Sequence, residues 1–451
     1  MIHRYKQNGF NIVIDINSGA VHAVDELAYE IIGLYEENSF DDIMKKLEAT
    51  YEKDDIKESY DEVKSLEDNG LLFSKDYYEE VLPMVNKRNP VVKALCLHVA
   101  HDCNLRCGYC FADEGEYHGK RSLMSLEVGK AAIDFIIKNS GNRRNLEIDF
   151  FGGEPLMNFN VVKEIVKYGR EQEKLHNKNF RFTMTTNGVL LDEKKLEFIN
   201  ENMHNLVLSL DGRKEVNDHM RKCIGGSGSY DLIVPRFIKA AESRKQENYY
   251  LRGTFTKNNM DFSKDVAHIA DLGFKQISVE PVVGPDEEPY TFKEEDIPAI
   301  CKEYEVLANN ILEDMKNGKD YNFFHFMIDL TGGPCIAKRL VGCGAGTEYL
   351  AVTPEGALYP CHQFVGNEDF EMGDVWKGVQ KQDMRKEFEN CNIFAKEDCK
   401  KCWARFYCSG GCAANAYNTN NDILKPYEIG CILQRKRTEC AIMLKVAESL
   451  A

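Results

Sequence analysis

Strand-like runs alternating with helical stretches between residues 94 and 310 predict an α/β chain built on a partial, TIM-like barrel of six βα units. Two further observations bound that barrel. Residues 1–75 read as a separate hairpin-and-helix unit, and beyond residue 335 the alternation stops while cysteine and glycine become frequent.

In the first unit, residues 10–16 alternate apolar and polar, Asn17-Ser18-Gly19 supplies turn chemistry, and residues 20–24 follow as the return arm of a hairpin. Apolar periodicity predicts helices over 25–36, 40–51 and 57–69, the last stopped by Gly70. With a short return strand at Leu71-Leu72-Phe73, this order predicts a winged helix-turn-helix. Its acids (Glu52, Asp54, Asp55, Glu58, Asp61, Glu62) disfavour a DNA partner. Residues 76–93, with Pro83 and Pro90, read as a linker.

The barrel strands are expected at 94–99, 146–151, 181–186, 205–210, 251–256 and 276–283. Helical patterns at 126–138, 161–173, 193–200 and 232–243 lie between them. Ligands of such folds sit at the carboxyl ends of the strands. The barrel is expected to span 94–310, with a bridging segment to 334 and a cysteine-rich domain over 335–451.

Composition excludes several classes. The chain of 451 residues has 57 basic and 73 acidic side chains, a net charge of −16, which disfavours sequence-independent nucleic-acid binding. No apolar run approaches the roughly 20 residues of a membrane helix. The start lacks the apolar stretch of a secretory signal, so a cytoplasmic location is expected. In a reducing compartment, 16 cysteines point to metal or cluster ligation rather than disulfides.

The chemistry concentrates at strand ends. Directly after the first strand comes Cys103-x3-Cys107-x2-Cys110, with Tyr109 before the third cysteine. Three thiolates leave one iron of a four-iron cube without a protein ligand, free to chelate an amine and a carboxylate. A zinc knuckle short of a ligand is the bland alternative. Gly152-Gly153-Glu154-Pro155 closes the second strand, where two glycines allow close backbone approach and Glu154 can accept from an ammonium. Thr185-Thr186-Asn187-Gly188 and Ser209-Leu210-Asp211-Gly212 end the third and fourth, and Arg221 lies 12 residues past Ser209. Taken singly, each is equally a turn cap or a surface arginine. The tail carries Cys399-x2-Cys402-x5-Cys408-x3-Cys412 and then Cys431, with Cys343, Gly356 and Cys361 upstream.

These motifs resemble the radical S-adenosylmethionine (radical SAM) superfamily with a C-terminal SPASM domain. The resemblance implies three [4Fe–4S] clusters. Cys103, Cys107 and Cys110 would hold the one that binds S-adenosylmethionine. Tyr109, Gly152, Gly153, Glu154, Thr186, Asn187, Ser209, Asp211 and Arg221 would contact that cofactor, with Glu154 at the amine and Arg221 at the carboxylate. Cys399, Cys402, Cys408 and Cys431 would hold one auxiliary cluster, and Cys343, Cys361 and Cys412 the other. Cys335, eight residues before Cys343, is a possible fourth ligand of the latter; without it, one iron is open to a substrate thiol. A zinc ribbon is the alternative, but seven cysteines do not divide into one tetrahedral site.

Anaerobic sulfatase maturases share this architecture but carry an aspartate where this chain has His362. The N-terminal unit is similar to the leader-recognition elements of ribosomal-peptide maturases, which add a leader as a strand to a sheet edge. The whole layout looks most like the thioether-forming SCIFF maturases, named for peptides with six cysteines in forty-five residues. The activity so implied is oxidative. A 5′-deoxyadenosyl radical takes hydrogen from an acceptor residue, favoured to be threonine, and a peptide cysteine sulfur joins the carbon. Implied partners are a cysteine-rich precursor peptide with its leader and a low-potential donor of the flavodoxin or ferredoxin type. Rival readings are a carbon–carbon cross-link, a sulfatase-type oxidation, or a non-enzymatic iron–sulfur redox regulator.

Overall fold

The computed structural model describes residues 1–86, 90–331 and 336–450. The N-terminal unit is a three-stranded antiparallel sheet in the order β1 (Ile2–Gln7), β2 (Phe10–Asp15), β3 (Val21–Val24), covered by α1 (Glu26–Leu34), α2 (Phe40–Leu47) and α3 (Lys53–Asp68). Asp25 and Ser39 cap the first two helices by accepting backbone N–H bonds. Two expectations need correction. A first strand precedes the expected hairpin, joined to it through Asn8-Gly9, both at positive φ, the preferred two-residue hairpin loop. Residues 71–73 form bends, not a strand, although Leu72 is fully buried. The segment expected as a linker also contains a helix, α4 (Tyr78–Asn86), with Pro83 inside it.

Six parallel strands then appear at the six expected places. They are β4 (Ala94–His101), β7 (Asn145–Gly152), β8 (Asn179–Thr186), β9 (Asn205–Ser209), β11 (Tyr249–Phe255) and β12 (Gln276–Pro281), adjacent in that order. Small strands β5 (Leu105–Cys107), β6 (Ser122–Leu123) and β10 (Arg221–Cys223) decorate the loops. Helices α5 (Leu126–Asn139), α6 (Phe159–His176), α7 (Glu193–Asn202), α8 (Lys214–Met220), α9 (Tyr230–Ser243), α10 (Ser263–Asp271) and α11 (Ile297–Lys316) connect the strands and close the series. The boundary expected at 310 falls inside α11.

Strand β4 is buried at every position, as a parallel strand covered on both faces must be. Leu95, Leu97 and Val99 join the main apolar core, while Cys96 packs in a separate cluster with Tyr117 and Cys361. Each fully buried aliphatic side chain contributes about 1.5–3 kcal/mol, so this central strand anchors the loop that leaves its end.

The C-terminal region also extends the barrel sheet. Past β13 (Asn322–Phe323) and α12 (Ile336–Val341), β14 (Tyr349–Val352) pairs parallel with β4 on its free edge. Antiparallel β15 (Ala357–Tyr359), β16 (Gly373–Asp374) and β17 (Gly378–Val379) follow. This carries Cys361 to the first barrel strand. Helices α13 (Gln382–Asn390), α14 (Glu397–Lys400), α15 (Arg405–Cys408), α16 (Ala413–Asn420) and α17 (Glu428–Leu450) complete the chain. β1 docks on α17: His3 lies 3.0 Å from Glu439, Tyr5 donates to the Glu439 carbonyl, and the His3 ring stacks on Trp403 at 3.8 Å. Among the described residues no helix is long and apolar enough to cross a membrane.

Candidate active site

The cysteine triad occupies the loop that leaves β4, braced from two sides. Gly152 has φ +126°, and a Cβ there would stand 2.3 Å from the Ala100 carbonyl oxygen. A Cβ on Gly153 would stand 2.2 Å from that of Asp102, so the two glycines let the β7 turn lie against the triad's backbone. From the other side, β10 pairs with β5 so that Arg221 faces Cys107 in register.

These elements open on one cavity of about 510 Å³, lined by the three triad cysteines, Gly152, Gly153, Glu154, Thr186, Asn187, Ser209 and Arg221. Glu154 is buried and accepts from the Leu156 and Asn187 backbone N–H groups and the Thr186 hydroxyl, at 2.8–3.0 Å. Burial raises its pKa against those donors. Asn187 donates to Asn104 at 2.8 Å and lies 3.6 Å from the Cys103 sulfur.

Arg221 donates to the Tyr109 hydroxyl at 2.9 Å, and that hydroxyl donates to Asp211. Asp211 is buried and does not line the cavity; its carboxylate accepts from the Tyr109 hydroxyl and the Thr254 backbone N–H.

Two polar donors of this wall, Arg221 Nε and Asn104 Nδ2, are buried without any partner. Orphaned buried donors are rare in folded proteins and mark where a missing acceptor belongs. A carboxylate opposite Arg221, an ammonium opposite Glu154 and an open iron between them fit S-adenosylmethionine.

The thiols themselves need a metal to ionise. Burial pushes Cys103 up to about 12 and Cys107 up to about 11, so without metal both stay protonated. Among the described residues no three Cys, His, Asp or Glu side chains converge tightly enough for one metal ion.

The remaining cysteines fall into two neighbourhoods. Burial, then the nearby Cys412 and Cys343, push Cys361 up to about 12. Burial, then Cys408, Cys399 and Cys402, push Cys431 up to about 12. These neighbours belong to the same sets that the family resemblance implies. Cys335 lies outside the described residues. Cys391, expected only as a small apolar filler, sits within electrostatic reach of Cys343.

Opposite the triad the same cavity carries charged groups that strand assignment alone did not single out: Arg252, Glu280, His325 and Arg437, beside His362. Arg252 pairs with Glu280 at 2.8 Å. Burial opposes ionisation of Glu280, but Arg252 and His325 beside it pull its pKa down to about 2. Arg437 donates to His325 Nδ1 at 3.1 Å, so the neutral ring carries its proton on Nε2, 3.2 Å from the Ser278 hydroxyl. The available signal was charged residues, Arg252 and Glu280, on otherwise apolar strands; His325 lies on a 3-10 turn and Arg437 on α17. His362 is half-buried against Phe151 and Phe111, 3.3 Å from the Tyr349 hydroxyl. Cys408, Cys412 and Cys431 close the far wall.

Comparison with known proteins agrees with this geometry. Residues 97–294, most of the barrel, match the Radical SAM superfamily. The chain is 27% identical over 351 residues to a cysteine-type anaerobic sulfatase-maturating enzyme of Clostridium perfringens, covering 72% of this chain and 89% of that one. Among solved structures, anSMEcpe with bound AdoMet superposes with a TM-score of 0.67 at 23% identity, over 79% of this chain and 98% of that one. Streptococcus suis SuiB bound to precursor peptide SuiA superposes with a TM-score of 0.51 at 16% identity, over 95% of this chain and 98% of SuiB.

Proposed function

We propose that this chain, through its radical SAM domain, matures a ribosomally made, cysteine-rich peptide by forming an intramolecular thioether between a peptide cysteine sulfur and a carbon of an acceptor residue, threonine being favoured. The observation that carries this reading is the cavity onto which the triad, the Gly-Gly-Glu turn and three of the C-terminal cysteines, Cys408, Cys412 and Cys431, all open. A peptide segment placed there lies between the S-adenosylmethionine site and the auxiliary cysteines. When bound, the cofactor and its cluster would supply a 5′-deoxyadenosyl radical that takes one hydrogen atom from the acceptor carbon; as the peptide sulfur joins that carbon, the thiol proton would leave to solvent and the remaining electron would pass to the auxiliary clusters.

The chain's own residues do the rest. Glu154 and Arg221 hold the two ends of the methionyl group, and Tyr109, fixed by Asp211, keeps Arg221 in place. Arg252, Glu280, His325 and Arg437 form a rigid polar wall that orients the peptide and keeps the reacting atoms from drifting. Cys343, Cys361 and Cys412 supply three thiolates, and we assign the fourth position at that cluster to the peptide thiol, Cys335 being its rival. The N-terminal sheet, with β3 as an open edge, suits a leader added as a further strand. A low-potential flavodoxin or ferredoxin donor supplies the electron.

The test is the mass of the product. A thioether removes two hydrogens and one alkylatable thiol. The similarity to a sulfatase-maturating enzyme favours one second reading, oxidation of a cysteine to an aldehyde. That product would react with a hydrazide and contain no cross-link. Against it stands the half-buried imidazole of His362 where those enzymes carry an aspartate.

A further inference from the structure

Outside the catalytic cavity, and sharing Tyr109, Cys110, Phe111, Val283, Gln363 and Tyr427 with it, lies a groove of about 1,980 Å³. Pockets for small ligands run to roughly 300–1,000 Å³, so this space suits a polypeptide. Its charge is one-sided. Asp286, Glu287, Glu288 and Glu294 come from the segment joining β12 to α11. Glu368, Asp398 and Glu428 face them, against only Lys293, Lys425 and His118.

The pairing of these acids sets them apart from their neighbours. Glu295 and Asp296, next along the chain from Glu294, bind Lys257 at 3.6 and 2.9 Å, and Glu397, beside Asp398, binds Lys400 at 2.7 Å. Among the described residues, none of the seven groove carboxylates has such a partner. Uncompensated like charge around a concave wall costs self-repulsion and focuses a negative potential into the groove.

We propose that this groove is the path by which the reacting segment of the peptide reaches the cavity, and that it selects segments whose cysteine and acceptor are flanked by lysine or arginine. The proposal rests on the peptide-maturase reading. A cationic flank would neutralise the seven acids, while an acidic one would meet like charge along the whole approach. Tyr290 and Tyr427 add aromatic faces on which lysine and arginine stems can lie.

The test uses the anaerobically reconstituted full-length protein and three labelled synthetic peptides of about twelve residues, an extended length of roughly 40 Å. They share a central Ser-Cys-Ser-Thr and differ only in lysine, serine or glutamate flanks. Binding is read by fluorescence anisotropy at low and high salt. The lysine peptide should bind at least tenfold more tightly than the glutamate peptide at low salt, the serine peptide falling between. That spread should collapse at about 0.5 M salt, where screening is nearly complete. A Glu287→Lys/Glu288→Lys variant, changed only at the groove rim, should reduce or invert the order while still cleaving S-adenosylmethionine. Equal affinities for the three peptides, tightest binding by the glutamate peptide, or a lysine preference undiminished in the variant would overturn the proposal. Binding needs no chemistry, so a product other than a thioether would sink the proposed reaction while leaving this readout intact.

Discussion

Arg221 faces Cys107 across a two-stranded antiparallel ribbon, so the side chain proposed to meet the cofactor carboxylate and a proposed ligand of the cluster are fixed by one backbone ladder. The Arg221 Nε is buried with no partner, which an incoming carboxylate would supply. Arg221→Lys keeps the charge but loses the planar fork. S-adenosylmethionine affinity is expected to fall roughly ten- to hundredfold, the worth of one charge-assisted hydrogen bond. Iron content should not change. Equilibrium binding to the reconstituted protein checks this, and unchanged affinity would remove Arg221 from the site.

Gly153 offers a steric test of the same loop. An added Cβ would stand 2.2 Å from the Asp102 carbonyl, which is backbone and cannot swing aside. In Gly153→Ala the triad loop must move, and about four irons per chain should be lost together with S-adenosylmethionine cleavage. Retention of full iron and cleavage would show that the glycine pair is only a turn.

Strand β4 was legible because burial at every position leaves a nearly unbroken apolar run, with Leu95, Leu97 and Val99 around Cys96, while β7, β8, β9 and β11 showed as buried apolar residues at alternate positions. The motifs were legible because each ends a strand. β1 was not, since Ile2–Gln7 lies on the N-terminal sheet's edge against α17 and reads as polar; its only signal was Asn8-Gly9. Leu71-Leu72-Phe73 misled for the opposite reason: Leu72 is buried by packing on helices, with no strand beside it. The cavity wall opposite the triad was unreadable because Arg252, Glu280, His325 and Arg437 come from four separate stretches that only the fold brings together.

His325 makes stability depend on pH. Burial, then Arg437, lowers its pKa from 6.5 to about 3, so the folded protein resists a proton that the unfolded chain accepts. Stability attributable to this ring is therefore intact above about 6.5 and declines on acidification towards 3, by about 1.4 kcal/mol per pH unit in that window. In His325→Gln this one-proton slope disappears. Denaturation midpoints measured between pH 7.5 and 5 should thus fall less steeply for the variant. Parallel slopes would show that His325 titrates normally.

The dock between the N-terminal unit and the cysteine-rich region includes one ring stack close to the cysteines. The His3 ring lies parallel to Trp403 at 3.8 Å, and Trp403 directly follows Cys402, a proposed cluster ligand. Trp403→Ala removes a large aromatic surface there, a change that typically costs about 3–5 kcal/mol at a fully buried site and less at this half-buried one. The variant should lose the absorbance of one auxiliary cluster faster in air, while S-adenosylmethionine cleavage under nitrogen persists. An unchanged bleaching rate would mean that the N-terminal unit does not shield that cluster.

Cys408 and Cys412 are four residues apart, yet their thiol neighbours differ: Cys408 has Cys402, and Cys412 has Cys343. Gly410 and Gly411 lie between them, both at positive φ (87° and 73°), and turn the chain so that the two sulfurs face different sets. If the sets are separate cubes, Cys408→Ala and Cys412→Ala should each reduce iron by about four per chain, and the double variant by about eight. The two losses should also carry different electron-paramagnetic signatures, because removing Cys412 affects the cluster assigned to the peptide thiol. Peptide added to the wild type should perturb only that second signal. Were both variants to lose the same four irons, with no further loss in the double, the C-terminal cysteines would hold one cluster. The assignment of a substrate position at Cys343, Cys361 and Cys412 would then have to be given up.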